Sequence, residues 1–211
     1  MPGLHAHIQE LATASFPSGT RVLDLGCGSG ALAARLGNAG FDVTCCDAHP
    51  NVFRLHQRFP FVAADLNEDF SQAFAAPFEA IAAVEIIEHL ENPWHFLRQC
   101  HALLVPGGTF VLTTPNIDTP RSVLEFVKKG TFKGFADQDF AKDGHITQLS
   151  QWQLGKCVEA SGLRLDAIET FGPPWGSMLR HLGAKALWLL AAKNPSRAGT
   201  IVVALGRQPE R

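Results

Sequence analysis

The residues best suited to chemistry begin at Val22-Leu23-Asp24-Leu25-Gly26-Cys27-Gly28-Ser29-Gly30, an apolar stretch that runs into a glycine turn and then a helix-forming segment. Gly26, Gly28 and Gly30 permit a tight turn, let a ligand approach bare backbone, and leave the first helix amides pointing at it. Cys27 and Ser29 contribute backbone only. The stretch Gly26-x-Gly28-x-x-Ala31 also fits the dinucleotide fingerprint, so the turn by itself leaves the cofactor open. Three acids narrow the choice. Asp24 can accept hydrogen bonds from a cationic amino group or from turn amides. Asp47, followed by Ala48, stands where an acid takes two ribose hydroxyls. Asp65, followed by Leu66, can accept from an exocyclic adenine amine while Leu66 borders the ring. That set suits a ligand with amine, ribose and adenine far better than a pyrophosphate. Proton chemistry falls to other side chains than tyrosine, because the chain has 15 Phe and 4 Trp but no Tyr. His89 and His145 are the candidate bases, an unperturbed imidazole near pKa ~6.5 being poised for proton abstraction at neutral pH. His5, His7, His56, His95, His101 and His181 fall at terminal or helical positions that suit solvated or packed roles, and His49 is expected beside the adenosine.

The elements that must position these groups follow from the apolar pattern. Short apolar runs alternate with helix-length segments, the sequence form of β-α-β units around a parallel sheet. Strands are predicted at 21–25, 42–47, 61–64, 80–85, 109–114, 163–171 and 200–206, with helices at 32–39, 50–57, 69–74, 93–104 and 150–160. Pro93 suits a first helical turn, and Pro106-Gly107-Gly108 stops that helix and turns the chain into the next strand. Two excursions interrupt the rhythm, at about 115–148 and 173–195. The first carries Phe126, Phe132, Phe135 and Phe140, expected to line a hydrophobic acceptor pocket. The second holds an apolar stripe near Met178 to Lys193 that covers the sheet, pairs with another subunit or, less favoured, lies on a membrane surface. Insertions of this length at strand ends read as lids.

Composition sets the outer bounds. The 211 residues, 46% hydrophobic and 18% charged with a mean hydropathy of +0.05, belong to one packed globular domain spanning 1–211. With 18 basic against 20 acidic residues, the chain lacks the basic excess that phosphate-backbone binding relies on, so no nucleic-acid polymer is expected as partner. Cys27, Cys45, Cys46, Cys100 and Cys157 form an odd set without a C-x-x-C pair, and the adjacent Cys45 and Cys46 should face opposite sides of a strand. Reduced thiols, no leader-like segment and no long uninterrupted apolar run predict a cytoplasmic protein. Oligomeric state leaves no mark in the sequence.

With these motifs in view, the sequence resembles the class I S-adenosylmethionine-dependent methyltransferases over roughly Thr20 to Leu112. Asp24-x-Gly26-x-Gly28-x-Gly30 matches that family's first motif, Asp47 its ribose acid and Asp65 its adenine-side acid. Ala83-Val84-Glu85-Ile86-Ile87-Glu88-His89-Leu90, then Leu104-Val105-Pro106-Gly107-Gly108-Thr109, looks like its fourth strand and the turn before its fifth. The Glu-Ile-Ile-Glu-His-Leu run, Thr113-Thr114-Pro115-Asn116 and Gly144-His145 resemble the branch with ubiquinone-biosynthesis O-methyltransferases. The resemblance implies an α/β fold, a Rossmann-like doubly wound seven-stranded sheet that is mostly parallel with an antiparallel last strand. It implies S-adenosylmethionine as cofactor and S-adenosylhomocysteine as product, held by Asp24, Gly26, Cys27, Gly28, Gly30, Asp47, Ala48, Asp65, Leu66 and Glu85. The reaction would be methyl transfer to a small-molecule acceptor, partly apolar, with oxygen favoured as nucleophile and His89 and His145 as catalytic residues. Two other readings stand beside it: a nicotinamide-dependent oxidoreductase, in which Asp65 and the Pro-Gly-Gly stretch have no task, and a non-catalytic nucleoside-binding protein.

A metal is a subordinate expectation. If Glu85 begins a helical turn, Glu85, Glu88 and His89 share one face and with His145 make a cluster similar to that of metal-dependent small-RNA 2′-O-methyltransferases. The same run serves equally as cofactor edge (Glu85), capping acid (Glu88) and packed imidazole, and the site is expected to work without a metal.

Overall fold

Strands β1 (Arg21–Leu25), β2 (Asp42–Asp47), β3 (Phe61–Ala63), β4 (Phe78–Val84), β5 (Leu104–Pro115), β6 (Arg164–Phe171) and β7 (Ile201–Arg207) form one sheet in the order β3-β2-β1-β4-β5-β7-β6. In this computed structural model, which describes residues 2–172 and 199–210, β7 runs antiparallel to both its neighbours and the other pairings are parallel. The seven-stranded, mostly parallel sheet expected from the sequence is therefore present. The central strands are near-continuous apolar runs because helices cover both faces. Helices α3 (Pro93–Leu103) and α6 (Gln151–Ala160) pack Phe96, Leu97, Leu154 and Val158 against Leu23, Leu25, Ile81 and Ala83. On the opposite face α1 (Leu4–Ser15) and α2 (Ala31–Asn38) pack Leu4, Ile8, Leu32 and Leu36 against Val22, Ala80 and Ala82. Cys45 and Cys46 fall into opposite layers, as their adjacency on a strand requires.

Local chemistry sets the helix ends. The Asn92 side chain accepts from the His95 amide at 3.0 Å ahead of Pro93, and Ser150 accepts from the Gln153 amide at 3.1 Å. The first excursion folds into α4 (Pro120–Lys129), capped by Thr119, and α5 (Asp137–Asp143), which Gly144 ends at φ 74°. The second excursion and its apolar stripe lie outside the described residues. Among the described residues, no helix is long and apolar enough to cross a membrane.

Three local expectations change. Residues 50–57 form turns rather than a helix, because Phe53 is buried against Phe61 (ring centroids 4.8 Å apart) and beside Gly30, and a short segment keeps no helix against such a contact. Helix α1, unforeseen at the N-terminus, is held by Leu4 and Ile8, which stack one turn apart into the core. Pro106-Gly107-Gly108 lies inside β5 instead of before it: Leu104 already pairs with Phe78, and the register slips before Ala80 meets Thr109.

Candidate functional site

At the carboxyl ends of β1 to β4 a cleft of about 470 Å³ opens, floored by the glycine turn. Gly26, Gly28 and Gly30 all adopt left-handed φ, 71°, 51° and 89°. Gly26 has a second reason to be glycine, since a Cβ there would lie 2.6 Å from Ile86. The turn is laced to β2: Gly26 and Cys27 amides donate to the Cys46 carbonyl, and the Gly28 amide donates to Asp47 Oδ2 at 2.9 Å. Asp47 Oδ1 accepts from the His49 amide at 2.9 Å. A carboxylate has about four lone-pair positions, so Asp47 keeps acceptor capacity toward the cleft, where Ala48 and His49 adjoin it.

Of the ten residues expected to hold the cofactor, Gly26, Asp47, Ala48, Asp65, Leu66 and Glu85 line the cleft; Asp24, Cys27, Gly28 and Gly30 do not. The alternation of β1 explains Asp24. It shares a face with Val22, so its carboxyl turns toward the start of α2 and is only 2% exposed. Burial, helped by the Asp47 charge, pushes its pKa up to about 7, while the Ala33 amide pulls the other way. Its Oδ2 has no hydrogen-bond partner. Cys27 is buried, leaving its backbone as the useful part.

Asp65 uses Oδ1 for the Asn67 amide (2.9 Å) and side chain (3.1 Å), which leaves Oδ2 available. Asn67 in turn accepts from the Glu91 amide, tying this corner to the loop after His89. Glu85 takes a left-handed φ of 54°, the single non-glycine case among the described residues. That backbone twist ends β4 at Val84, places the Glu85 amide on Thr113, and lets Thr113 Oγ1 donate to Glu85 Oε1 at 2.9 Å. Burial raises the Glu85 carboxyl, with Thr113 and His145 drawing it partly back.

The chain then makes a 3₁₀ turn, Ile87–His89, rather than a helical turn starting at Glu85. Glu85 is thereby sent to β5, and the cluster that forms is Glu88, His89 and His145, whose ligating atoms lie within 4.8 Å of one another. Glu88 is fully buried, neither carboxyl oxygen has a partner, and burial together with Glu85 raises its pKa well above the ordinary value. The adjacent Thr114 hydroxyl offsets this slightly but also lacks a partner of good geometry. His89 is half-buried, held below the usual imidazole range by desolvation and then by the positive charge His145 carries when protonated. The two rings meet edge to face, 4.8 Å apart at 71°. The His145 ring nitrogen Nδ1 lies 2.8 Å from the Gly134 carbonyl, so Nδ1 is the donor there and in the neutral ring Nε2 carries the lone pair. Backbone bonds dock this segment, the Ile146 and Thr147 amides both donating to the Glu88 carbonyl at 2.9 Å.

The four phenylalanines do not converge. Phe135 packs on His145, with centroids 5.4 Å apart; Phe126 stacks on Phe132, and Phe140 is exposed. Sequence reasoning missed Ile86, Asn67, Thr113 and the Gly134 carbonyl. Only Thr113 carried a signal, as a hydroxyl within the Thr113-Thr114-Pro115-Asn116 run, and nothing local linked it to Glu85.

Comparison with known proteins bears on this arrangement. The methyltransferase domain family matches residues 3–168. The chain is 38% identical over 182 residues to the ubiquinone biosynthesis O-methyltransferase of Xanthomonas axonopodis pv. citri, covering 78% of this chain and 71% of the relative. The Xylella fastidiosa protein of the same name is 40% identical over 180 residues, 77% of this chain and 69% of the relative. In fold it is similar to a SAM-dependent methyltransferase from Archaeoglobus fulgidus (TM-score 0.70, 16% identity, 97% of this chain and 92% of the other). It is also similar to the Burkholderia thailandensis 1,6-didemethyltoxoflavin-N1-methyltransferase, solved with 1,6-didemethyltoxoflavin and S-adenosylhomocysteine (TM-score 0.65, 17% identity, 98% and 78%).

Proposed function

Since the chain belongs to the methyltransferase domain family and is an S-adenosylmethionine-dependent methyltransferase, we propose that it methylates a hydroxyl of a small, partly apolar acceptor seated against His89 and His145. The cleft fits the cofactor: bare backbone at Gly26, spare acceptor positions on Asp47, a free Oδ2 on Asp65, and Leu66 beside it. Behind them Asp24 braces the start of α2 with negative charge when ionised, and Glu85, steadied by Thr113, closes the edge. Bound S-adenosylmethionine supplies a methyl carbon on a sulfonium and is left as S-adenosylhomocysteine. This membership also removes the nicotinamide reading of the glycine turn.

The observation that carries the oxygen assignment is the imidazole pair. A hydroxyl becomes a competent nucleophile as its proton leaves, and His145 Nε2, its tautomer set by the Gly134 carbonyl, is a lone pair available to take that proton. The depressed pKa of His89 keeps it neutral as well. Leu90 and Ile86 in the lining, and Phe135 behind His145, support an acceptor with apolar surface. The names of the relatives, O-methyltransferases, support oxygen. All five cysteines are buried free thiols, which supports a reducing, cytoplasmic setting. The segment 115–148, which brings His145 to the cleft, is the part expected to choose the acceptor.

Methyl-labelled cofactor and a panel of phenolic, alcohol and amine acceptors test this reading. Turnover should be confined to hydroxylated acceptors and should fall about 10²- to 10⁴-fold in His145→Ala, with S-adenosylhomocysteine affinity unchanged. Methylation of amines alone, or full turnover in the variant, overturns it.

A further inference from the structure

We propose that the hollow between α1 and the β5–β7 ladder is a second binding site, for a medium-chain aliphatic carboxylate, separate from the cofactor cleft. A cavity of about 370 Å³ lies there, toward the amino ends of β1 and β4, whereas the cleft opens at their carboxyl ends. Small side chains on its walls leave the space: Ala12 and Ser15 on α1, Ala80 and Ala82 on β4. The first half of α1 is seated in the core by Leu4 and Ile8. Its second half continues the same stripe with Leu11 and Ala12, which are only half-buried over the cavity. On the floor Val111 and Leu205 are direct partners across β5 and β7, and both are half-buried although their strands lie inside the sheet. Apolar walls left in this state gain free energy by meeting a hydrocarbon chain.

The head of the ligand is set by charge. Two residues along the ladder from Val111 and Leu205, Thr109 pairs with Arg207, and there the cavity reaches its charged mouth. Between Leu165 and Ala167, β6 carries one residue more than β7, and that extra residue is Asp166. Its Oδ2 accepts from Arg207 Nε at 2.7 Å and its Oδ1 from Arg164 Nε at 2.9 Å. Against a desolvation that would raise it, the two guanidinium groups hold the Asp166 carboxyl below the ordinary range, so it is an anion at neutral pH. The mouth therefore sets two positive charges against one negative. Among the described residues each guanidinium gives only its Nε to Asp166, which leaves the paired Nη donors for a second carboxylate. One anionic head brings the charge to zero. At roughly 30 Å³ for each non-hydrogen group the hollow holds about a dozen atoms, the size of decanoate. The site does not depend on the identity of the methyl acceptor.

Calorimetric titration of decanoate into the intact protein, with and without saturating S-adenosylhomocysteine, tests the site. Wild type should bind one equivalent, equally well in both samples, and should bind decanol about tenfold more weakly. Arg207→Gln, at the exposed mouth, should weaken decanoate binding about tenfold or more. Ala12→Phe, which fills the hollow from the helix side, should abolish it. Unchanged S-adenosylhomocysteine affinity identifies each variant as folded. No saturable binding to wild type up to about 1 mM overturns the proposal, whether a second copy, another part of the chain or nothing fills the hollow. Decanoate that S-adenosylhomocysteine displaces, decanoate binding that either substitution leaves intact, or decanol binding as tightly as decanoate overturns it as well.

Discussion

At Asp24 the backbone of a five-residue strand determines what a carboxyl can do. An acid at the end of β1 reads as a ligand contact, yet alternation places it behind the glycine turn, buried at the start of α2 with its pKa raised to about 7. The sign of the resulting pH dependence follows from that direction. An unfolded carboxyl titrates near 3.8, so the folded form holds its proton more tightly. Stability from this group is fully present below that value and is lost as pH rises through about 7. The melting temperature of the cofactor-free protein should therefore fall between about pH 4 and pH 7, and Asp24→Asn, similar in shape and uncharged, should flatten that fall. Parallel melting curves for the two proteins across this range would show that Asp24 does not carry the effect. Gly26 is the complementary case. Its role was readable from residue type, but the packing of Ile86 against it adds a steric demand that no turn rule contains.

Between elements, the β4–β5 pairing carries the site more than any helix does. Glu85 leaves the sheet in a left-handed conformation that its contacts on β5 support, its amide and carboxyl both meeting Thr113. Thr113→Val keeps the shape and the backbone ladder but removes the hydroxyl. We expect S-adenosylhomocysteine to bind roughly 1 kcal/mol more weakly, about fivefold, with little change in melting temperature. A large drop in melting temperature with unchanged affinity would assign Thr113 to the fold instead. The 3₁₀ turn after Glu85 has the second structural effect, because it separates Glu85 from Glu88 and leaves Glu88 to the two imidazoles.

For the whole molecule, a sheet covered on both faces buries every cysteine, three of them near the glycine turn and β2 and the others under α3 and α6. A thiol reagent added to native protein should find none of the five reacting quickly, and all five once denaturant is present. One fast-reacting thiol in the native state would mean that its layer opens. Burial also holds Cys46, Cys100 and Cys157 above the ordinary thiol range, so low thiolate content slows the same reaction. The sheet brings the ends of four strands to one edge, which is why residues as distant in sequence as Gly26 and His89 share a cleft.

Much of this was legible without coordinates. Strand positions, the glycine turn, Asp47 and Asp65 at strand ends, and the antiparallel last strand follow from periodicity, residue type and motif resemblance, because an apolar alternation or a demand for positive φ is stated within a few residues of itself. The helix expected at 50–57 failed where a distant partner, Phe61, competed with local preference. The turn of Asp24 behind the cleft, the diversion of Glu85 to Thr113, the Gly134 carbonyl that orients His145 and the union of Glu88 with two imidazoles were decided by tertiary structure alone. Each depends on the handedness of a single residue or on a contact between segments far apart in the chain, and neither is written in the spacing of residues along it.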